Sequence, residues 1–212
     1  MTWFLYNLRI RKLIEIERMR LRIASDLHDD IGATLTHISV NSEIIKHNND
    51  QQKIKEAANK IGILSREVIQ TMSDIVWSID SRNDTIEDLI SRMHDYAYQV
   101  LSPKNIQFKF THEGLITSKK MNIDMKQNIY LIFKEAVNNS AKYSGGDLVD
   151  VLLINKKDSF TMIIKDNGKG LQSKEKKGHG LKNIFMRSKR IGGTAEFIEN
   201  GGFEVRIKTG SI

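Results

Sequence analysis

The second half of the sequence contains a carboxylate and an amide at a spacing that suits metal-assisted phosphate chemistry. Apolar residues at helical spacing predict a helix that runs into the segment 135–142, namely Ile129, Ile132, Phe133, Ala136 and Val137. Glu135 and Asn139 stand four residues apart in this segment, so both lie on the same side of the helix. Oxygen atoms of these types are ligands for a hard cation such as magnesium, held partly through waters and phosphates. Polar pairs at this spacing are also common on solvated helices, so the pair alone is a weak signal.

A second segment, 166–170, follows an apolar run at 160–164 that has the pattern of a β-strand. Asp166 stands at the end of this predicted strand, where its carboxylate can accept a hydrogen bond from an exocyclic amine such as that of adenine. Gly168 and Gly170 would let the backbone approach a nucleotide closely. A plain tight turn is the alternative, since Asn-Gly is a common turn dipeptide.

A third segment begins at Gly178, and Gly180 and Leu181 follow at the start of a predicted helix that continues through Met186. Glycines at a helix N-terminus expose amide groups and the positive end of the helix dipole to a phosphate. Each of the three segments alone is weak, but their order and spacing together are hard to obtain by chance. The second half of the sequence therefore predicts a nucleotide site.

The first half contains a histidine in a setting that suits nucleophilic chemistry. His28 lies one position, about 100° around a helix, from the apolar residue Leu27, which predicts it at the edge of a buried face. Asp29 can orient the imidazole or take its proton, which leaves a ring nitrogen as nucleophile. A zinc site is a poor alternative, because no second histidine or carboxylate stands at a clear ligand spacing.

Two long helices are predicted to position this histidine, because apolar residues recur every three or four positions on both sides of the turn residues 48–50. The two stripes consist of Ile16, Met19, Ile23, Leu27, Ile31, Leu35 and Ile38, and of Ile54, Ala58, Ile61, Leu64, Val68, Met72, Ile75 and Ile79. Such a hairpin cannot close a core alone, so a dimer that forms a four-helix bundle is predicted. Packing of the hairpin on a second domain is the alternative.

Glycine content separates this helical part from a second domain. Of the 14 glycines, 12 lie from Gly114 onward, and Pro103 stands between a helical pattern and the strand-like run 106–110. The second half is therefore predicted to be an α/β domain, and the whole chain to be α+β.

Composition narrows the class of protein. The 212 residues are 40% hydrophobic, which argues against global disorder. The absence of cysteine excludes a disulfide scaffold, thiolate zinc sites and thiol catalysis, and it favours a reducing, cytoplasmic setting. No run approaches the roughly 18 apolar residues of a membrane span, and no cleavable signal sequence is expected.

Basic residues are concentrated at the start of the chain. Residues 1–22 contain six basic and two acidic side chains, so more than half of the net charge of +7 lies there, beside the aromatic residues of 3–6. Aromatic residues followed by basic ones are typical of a chain that leaves the cytoplasmic face of a membrane, and the solvated start of a long helix is the alternative. The basic segment contains no recognisable motif that binds in a nucleic-acid groove, so no nucleic-acid partner is predicted.

Together these motifs resemble those of bacterial sensor histidine kinases, in the subfamily whose phosphoacceptor helix reads Arg-Ile-Ala-x-Asp-Leu-His-Asp. Residues 22–29 match that helix, with His28 at the phosphoacceptor position. Three further segments resemble the N box and the two glycine boxes of the family, namely 135–142, 166–170 and 178–181. The seven residues 171–177 between the glycine boxes are similar to the short ATP lid of this subfamily.

The resemblance implies a fold and an activity. Residues 1–85 would form a juxtamembrane segment with a dimerisation and phosphoacceptor hairpin, and residues 86–212 a Bergerat-type (GHKL) α/β sandwich that binds ATP. The γ-phosphoryl of ATP would pass to His28 and then to an aspartate of a response regulator receiver domain. The resemblance further implies a homodimer on the cytoplasmic side of the inner membrane. An upstream membrane span and a sensory domain are also expected.

The resemblance also implies residue roles. His28, Asp29 and Glu135 are the expected catalytic residues. Asn139 is the expected Mg²⁺ ligand, and Glu135 would order the metal or its water. Asp166 would select adenine, and the full set expected to bind ATP is Asn139, Lys142, Asp166, Gly168, Gly170, Gly178, Gly180 and Leu181. Four lysines would make the lid region basic, at positions 169, 174, 176 and 177.

Two residues depart from the pattern of the family. Tyr143 stands where the family often has histidine, and Ala33 where many relatives carry a glutamine that positions water for dephosphorylation of the regulator. Weak or absent phosphatase activity is therefore expected.

Three other functions are the alternatives to a sensor histidine kinase. They are an ATP-driven conformational machine, a GHKL-type serine kinase, and a dimeric scaffold that binds ATP without turnover.

Overall fold

The computed structural model describes residues 31–80, 84–170 and 179–212, together with Trp3, Tyr6 and Ile10. Internal contacts divide the chain into two compact units, Met1–Trp77 and Ser78–Ile212. The domain boundary expected between residues 85 and 86 stays a prediction. Within the described ranges, no helix is both long and apolar enough to cross a membrane.

In its described part, the first unit is a helical hairpin, with α1 at Gly32–His47 and α2 at Gln51–Ile79. The predicted turn between them is confirmed. The side chain of Asn48 accepts a hydrogen bond from the Asp50 amide at 3.0 Å, and that of Asp50 accepts one from the Gln52 amide at 2.9 Å. These Asx contacts satisfy amides at the beginning of α2 that have no intrahelical partner.

The hairpin has a buried and an exposed apolar side. Ile31 and Ile75, both on the predicted stripes, are buried. Ile69, Met72 and Val76 follow one another at helical spacing on α2, yet in the single chain they are 66%, 49% and 62% exposed. Only Met72 of these three belongs to a predicted stripe, so the structure adds a second apolar side to α2.

In residues 84–170 and 179–212, the second unit contains a five-stranded sheet, three helices and two short helical turns. Its elements are α3 (Ile86–Leu101), a 3₁₀ turn (Ser102–Lys104), β1 (Gln107–Glu113), α4 (Ile123–Asn139), a wide helical turn (Ser140–Ser144), β2 (Leu148–Lys156), β3 (Ser159–Asp166), α5 (His179–Arg190), β4 (Thr194–Glu199) and β5 (Phe203–Thr209). The strand order is β1-β2-β3-β5-β4. Among these described strands, the β1–β2 pair is parallel and the other three pairs are antiparallel.

The core of this unit lies between the sheet and the helices. The apolar residues that predict α4 are all 2% exposed or less, namely Ile129, Ile132, Phe133, Ala136 and Val137. Strands β2 and β3 bury alternate residues, as expected for strands with one covered face. The predicted helical hairpin followed by an α/β domain is therefore confirmed.

Polar contacts fix the beginning of α3 in the second unit. The Thr85 hydroxyl accepts a hydrogen bond from the Asp88 amide, and the Asp88 carboxylate accepts one from the Thr85 amide, which forms a capping box. The Asp84 carboxylate accepts a hydrogen bond from the Lys126 ammonium on α4 at 3.0 Å, and this lysine is fully buried. The segment before α3 is therefore attached to α4 by a charged pair.

Candidate functional site

The last turns of α4 carry the predicted carboxylate and amide, and α5 approaches them closely. A Cβ atom built on Gly180 would overlap the Glu135 carboxylate and lie 3.3 Å from Asn139 Nδ2. Only a residue without a side chain fits there unless Glu135 moves. The structure thus brings Glu135, Asn139 and Gly180 together, and the helix predicted from the third motif is confirmed, since α5 begins at His179.

Asp166 ends β3, as predicted, and its buried carboxylate is held by three hydrogen bonds. Its Oδ1 accepts from the amides of Gly168 at 3.0 Å and Phe203 at 3.1 Å, and its Oδ2 accepts from the Ser140 hydroxyl at 2.9 Å. A carboxylate offers about four acceptor positions. These three bonds leave about one acceptor position, on Oδ2, for an amine donor.

Ser140 connects the two groups of residues. It follows Asn139 directly, so the acceptor that it holds at Asp166 and the Glu135–Asn139 pair lie at the same end of α4. The wide turn that begins at Ser140 is fixed by Lys104, whose ammonium donates to the Ala141 carbonyl at 2.6 Å. One end of α4 therefore brings together the Asp166 carboxylate, which can accept a hydrogen bond, and a pair of potential metal and phosphate ligands.

The loop after β3 packs against the end of this turn. The Lys169 amide donates to the Ser144 carbonyl at 2.9 Å, and a Cβ on Gly168 would overlap that carbonyl. Gly168 is therefore required by a close approach between two backbone segments. Gly170 has a φ of +71°, a left-handed conformation that favours glycine.

Asn167 attaches this loop to the beginning of β2. Its Oδ1 accepts from the amides of Asp147 and Leu148, each at 3.0 Å, and its Nδ2 donates to the Asp147 carboxylate at 2.7 Å. The sequence motifs predict no individual role for Asn167, Ser140 or Phe203. Ser140 belongs to the predicted segment 135–142, so the sequence could have indicated it. Phe203 reaches Asp166 through the pairing of β3 with β5, which no local motif predicts.

The remaining predicted residues lie in different places. Lys142 is exposed on the wide turn, and Leu181 is half-buried in the first turn of α5. His28, Asp29 and Gly178 lie outside the described residues, as do Lys174, Lys176 and Lys177 of the lid region.

The donor set at the end of α4 suits a cation that is shared with a ligand. Among residues 31–80, 84–170 and 179–212, no group of three or more histidine, cysteine, aspartate or glutamate side chains could hold a metal ion alone. Glu135 and Asn139 supply two side chains with oxygen ligands, one carboxylate and one amide. Magnesium fits such a site, because it is usually bound by one or two protein oxygens together with substrate phosphates and water.

Comparison with known proteins identifies relatives of the chain. The HisKA_3 family model, described as histidine kinase, matches residues 19–84. The sensor protein VraS of Staphylococcus aureus (strain COL) is 28% identical over 95% of this chain, and that of Staphylococcus haemolyticus (strain JCSC1435) is 27% identical over the same share. The chain spans 58% of the length of these curated relatives.

Solved structures share the fold at low sequence identity. The Acinetobacter baumannii histidine kinase AdeS has a TM-score of 0.57 at 13% identity, with 87% of this chain and 98% of that chain covered. The histidine kinase domain from the Erythrobacter litoralis EL346 blue-light activated histidine kinase has a TM-score of 0.55 at 11% identity, with 84% and 94% covered. The family match over residues 19–84 and the sensor-protein relatives along most of the chain make this chain similar to the sensor histidine kinases of bacterial two-component systems, and solved histidine kinases share its fold.

Proposed function

We propose that this chain is an ATP-dependent protein-histidine kinase that phosphorylates itself on His28. The observation that carries the proposal is the Asp166 carboxylate, which three protein donors hold so that one Oδ2 acceptor position remains. An exocyclic amine such as that of adenine is the matching donor. The nearby Glu135–Asn139 pair and the first turn of α5 would bind the phosphates of the same nucleotide, directly or through a metal ion.

The end of α4 would hold the metal and the phosphate charge. Asn139 would bind Mg²⁺, and Glu135 would order the metal or its water. When bound, Mg²⁺ neutralises charge that develops on the phosphate oxygens. Lys142 and the amides near Gly180 would offset further negative charge.

The proposed reaction is a phosphoryl transfer to a ring nitrogen of His28. The bond between the γ-phosphorus and the β–γ bridging oxygen breaks, a phosphorus–nitrogen bond forms, and ADP leaves. The proton of the attacking nitrogen passes to Asp29, which also orients the ring. An aspartate of a response regulator then receives the phosphoryl group from His28.

The proposed setting is a homodimer that belongs to a longer membrane sensor. The exposed apolar side of α2 supports the dimer, since such a stripe is typical of an interface. The relatives are named sensor proteins and this chain spans 58% of their length, which supports a sensor that is longer than this chain. An upstream membrane span and a sensory domain are part of the same proposal. The chain would then lie at the cytoplasmic side of the inner membrane.

Incubation with γ-labelled ATP tests the phosphoacceptor. The full chain should acquire a label that acid removes and base does not, and His28→Gln should abolish the label while ADP binding is retained. His37→Gln is the matched control, because His37 is an exposed residue of α1 to which no role is assigned, and it should label normally. Label that persists in His28→Gln would disprove the assignment.

The same experiment separates the alternative functions. A label that survives acid would indicate a serine kinase. ADP binding without any label would indicate a scaffold, and release of phosphate without labelled protein would indicate an ATPase machine.

A further inference from the structure

Two aromatic side chains, Phe203 and Phe197, lie on the same face of the sheet as Asp166. The register of β3 and β5 pairs Ile164 with Val205 and Lys165 with Glu204, so Asp166 and Phe203 stand opposite each other at the next position. Because side chains alternate along a strand, both lie on the same face as the buried Ile164 and Val205. The 3.1 Å bond from the Phe203 amide to Asp166 Oδ1 agrees with this placement.

Phe197 extends the aromatic surface of Phe203. In the β4–β5 register Phe197 pairs with Val205, which places it on the same face. The rings of Phe197 and Phe203 are stacked, with centroids 6.2 Å apart and an interplanar angle of 8°. Phe197 is 36% exposed and Phe203 is half-buried, so the pair is not enclosed in the core.

Gly202 fixes the position of Phe203. Its φ is +135°, and a Cβ atom there would overlap the Asp166 carbonyl oxygen. The backbone of residue 202 therefore approaches Asp166 more closely than any other residue type allows. This contact and the Phe203 amide bond hold the beginning of β5 against the end of β3.

We propose that Phe203, supported by Phe197, forms the aromatic wall of the base pocket and contacts the purine ring whose amine binds Asp166. This inference rests on the proposed function and deepens it. The Cβ atoms of directly opposed strand residues are about 4.5–5.5 Å apart, so a planar base held by the Asp166 carboxylate is within reach of the Phe203 ring. The wall would contribute to base affinity and not to phosphate binding.

Calorimetric titration of the full chain with ADP tests the wall. Phe203→Leu keeps an apolar side chain but removes the ring, so its dissociation constant for ADP should rise by about 5- to 100-fold. Phe203→Tyr keeps the ring and should bind ADP with nearly the affinity of the unmodified chain. Tyr98→Leu is the matched control, because Tyr98 is an aromatic residue of α3 that is 73% exposed, and its ADP affinity should not change.

The possible outcomes separate the two proposals. If the unmodified chain does not bind ADP, the proposed function is wrong and the wall with it. If the unmodified chain binds ADP and Phe203→Leu binds it equally well, or Phe203→Tyr loses as much affinity as Phe203→Leu, only the wall is wrong.

A second variant covers the case in which Phe203→Leu does not fold, as judged by circular dichroism. Phe203→Trp places an indole at the proposed wall, and ADP should then change its emission beyond any change in the unmodified chain, which contains Trp3 and Trp77. An emission change no larger than that of the unmodified chain would overturn the wall.

Discussion

At the scale of single residues, Asp166 shows how a buried carboxylate is prepared for a ligand. Its three protein donors come from three elements: the loop after β3, the beginning of β5 and the turn after α4. An ionised carboxylate only accepts hydrogen bonds, so its remaining lone pair selects a donor. The 6-amino group of adenine is such a donor, whereas the 6-oxo group of guanine is not.

Asp166→Asn should weaken ADP binding by about tenfold to a hundredfold, in line with the loss of a hydrogen bond to a charged group. The fold should survive, because the amide oxygen can still accept from Gly168 and Phe203 and the amide nitrogen can donate to the Ser140 hydroxyl. That nitrogen would oppose the amine of the base, donor against donor. The measurement is an ADP titration together with thermal unfolding.

Asp158→Asn makes the same chemical change on an exposed turn between β2 and β3, and it should leave ADP affinity unaltered. Equal affinity of Asp166→Asn and the unmodified chain would remove Asp166 from the site.

At the scale of elements, the approach of α5 to α4 determines where Glu135 can lie. Gly180 permits this approach, since any larger residue would meet the Glu135 carboxylate. Glycine at this position therefore serves the contact between the helices.

Gly180→Ala should lower the rate of autophosphorylation by about 10- to 100-fold, because a displacement of about 1 Å in a catalytic site has that effect. The added methyl group would displace Glu135, while Asp166 and its donors would be untouched. ADP affinity should therefore change much less than the labelling rate with γ-labelled ATP.

Gly210→Ala is the control, because a Cβ built there has no atom within 4 Å apart from those of Gly210 and its chain neighbours. It should label at the rate of the unmodified chain. An unchanged labelling rate in Gly180→Ala would show that the position of Glu135 does not matter for the transfer.

At the scale of the whole molecule, the hairpin has more apolar surface than a single chain buries. Ile69, Met72 and Val76 lie at spacings of three and four residues, so they form one side of α2. A second copy of the hairpin can cover this side and form a four-helix bundle. The same surface left in water would be a liability for aggregation.

The unmodified chain should therefore have a mass of about twice 24.3 kDa by light scattering, with or without ATP. Ile69→Lys should raise the dissociation constant of the dimer at least about tenfold, since it buries an unpaired charge in each copy. Glu67→Lys introduces the same side chain at an exposed position about 200° around the helix, and it should leave the dimer intact. A monomeric mass for the unmodified chain would contradict the four-helix bundle.

Periodicity and local motifs in the sequence determined much of this protein. They predicted the hairpin with its turn at 48–50, the helix around Phe133, the strand that ends at Asp166 and the helix that begins near Gly180, all of which the structure has. These features depend on residues close together in the chain, where helical and strand repeats and capping side chains act directly. The expected site roles of His28 and Asp29 stay predictions.

Only the tertiary structure decided which distant residues meet. Ser140 and Phe203 lie 26 and 37 positions from Asp166, and they reach it because the register of the strands and the end of α4 bring them there. The requirement for Gly180 likewise comes from the packing of α5 on α4, not from its own helix. Local patterns determine which elements form, whereas packing between elements determines which side chains share a site, because such contacts have no repeat along the sequence.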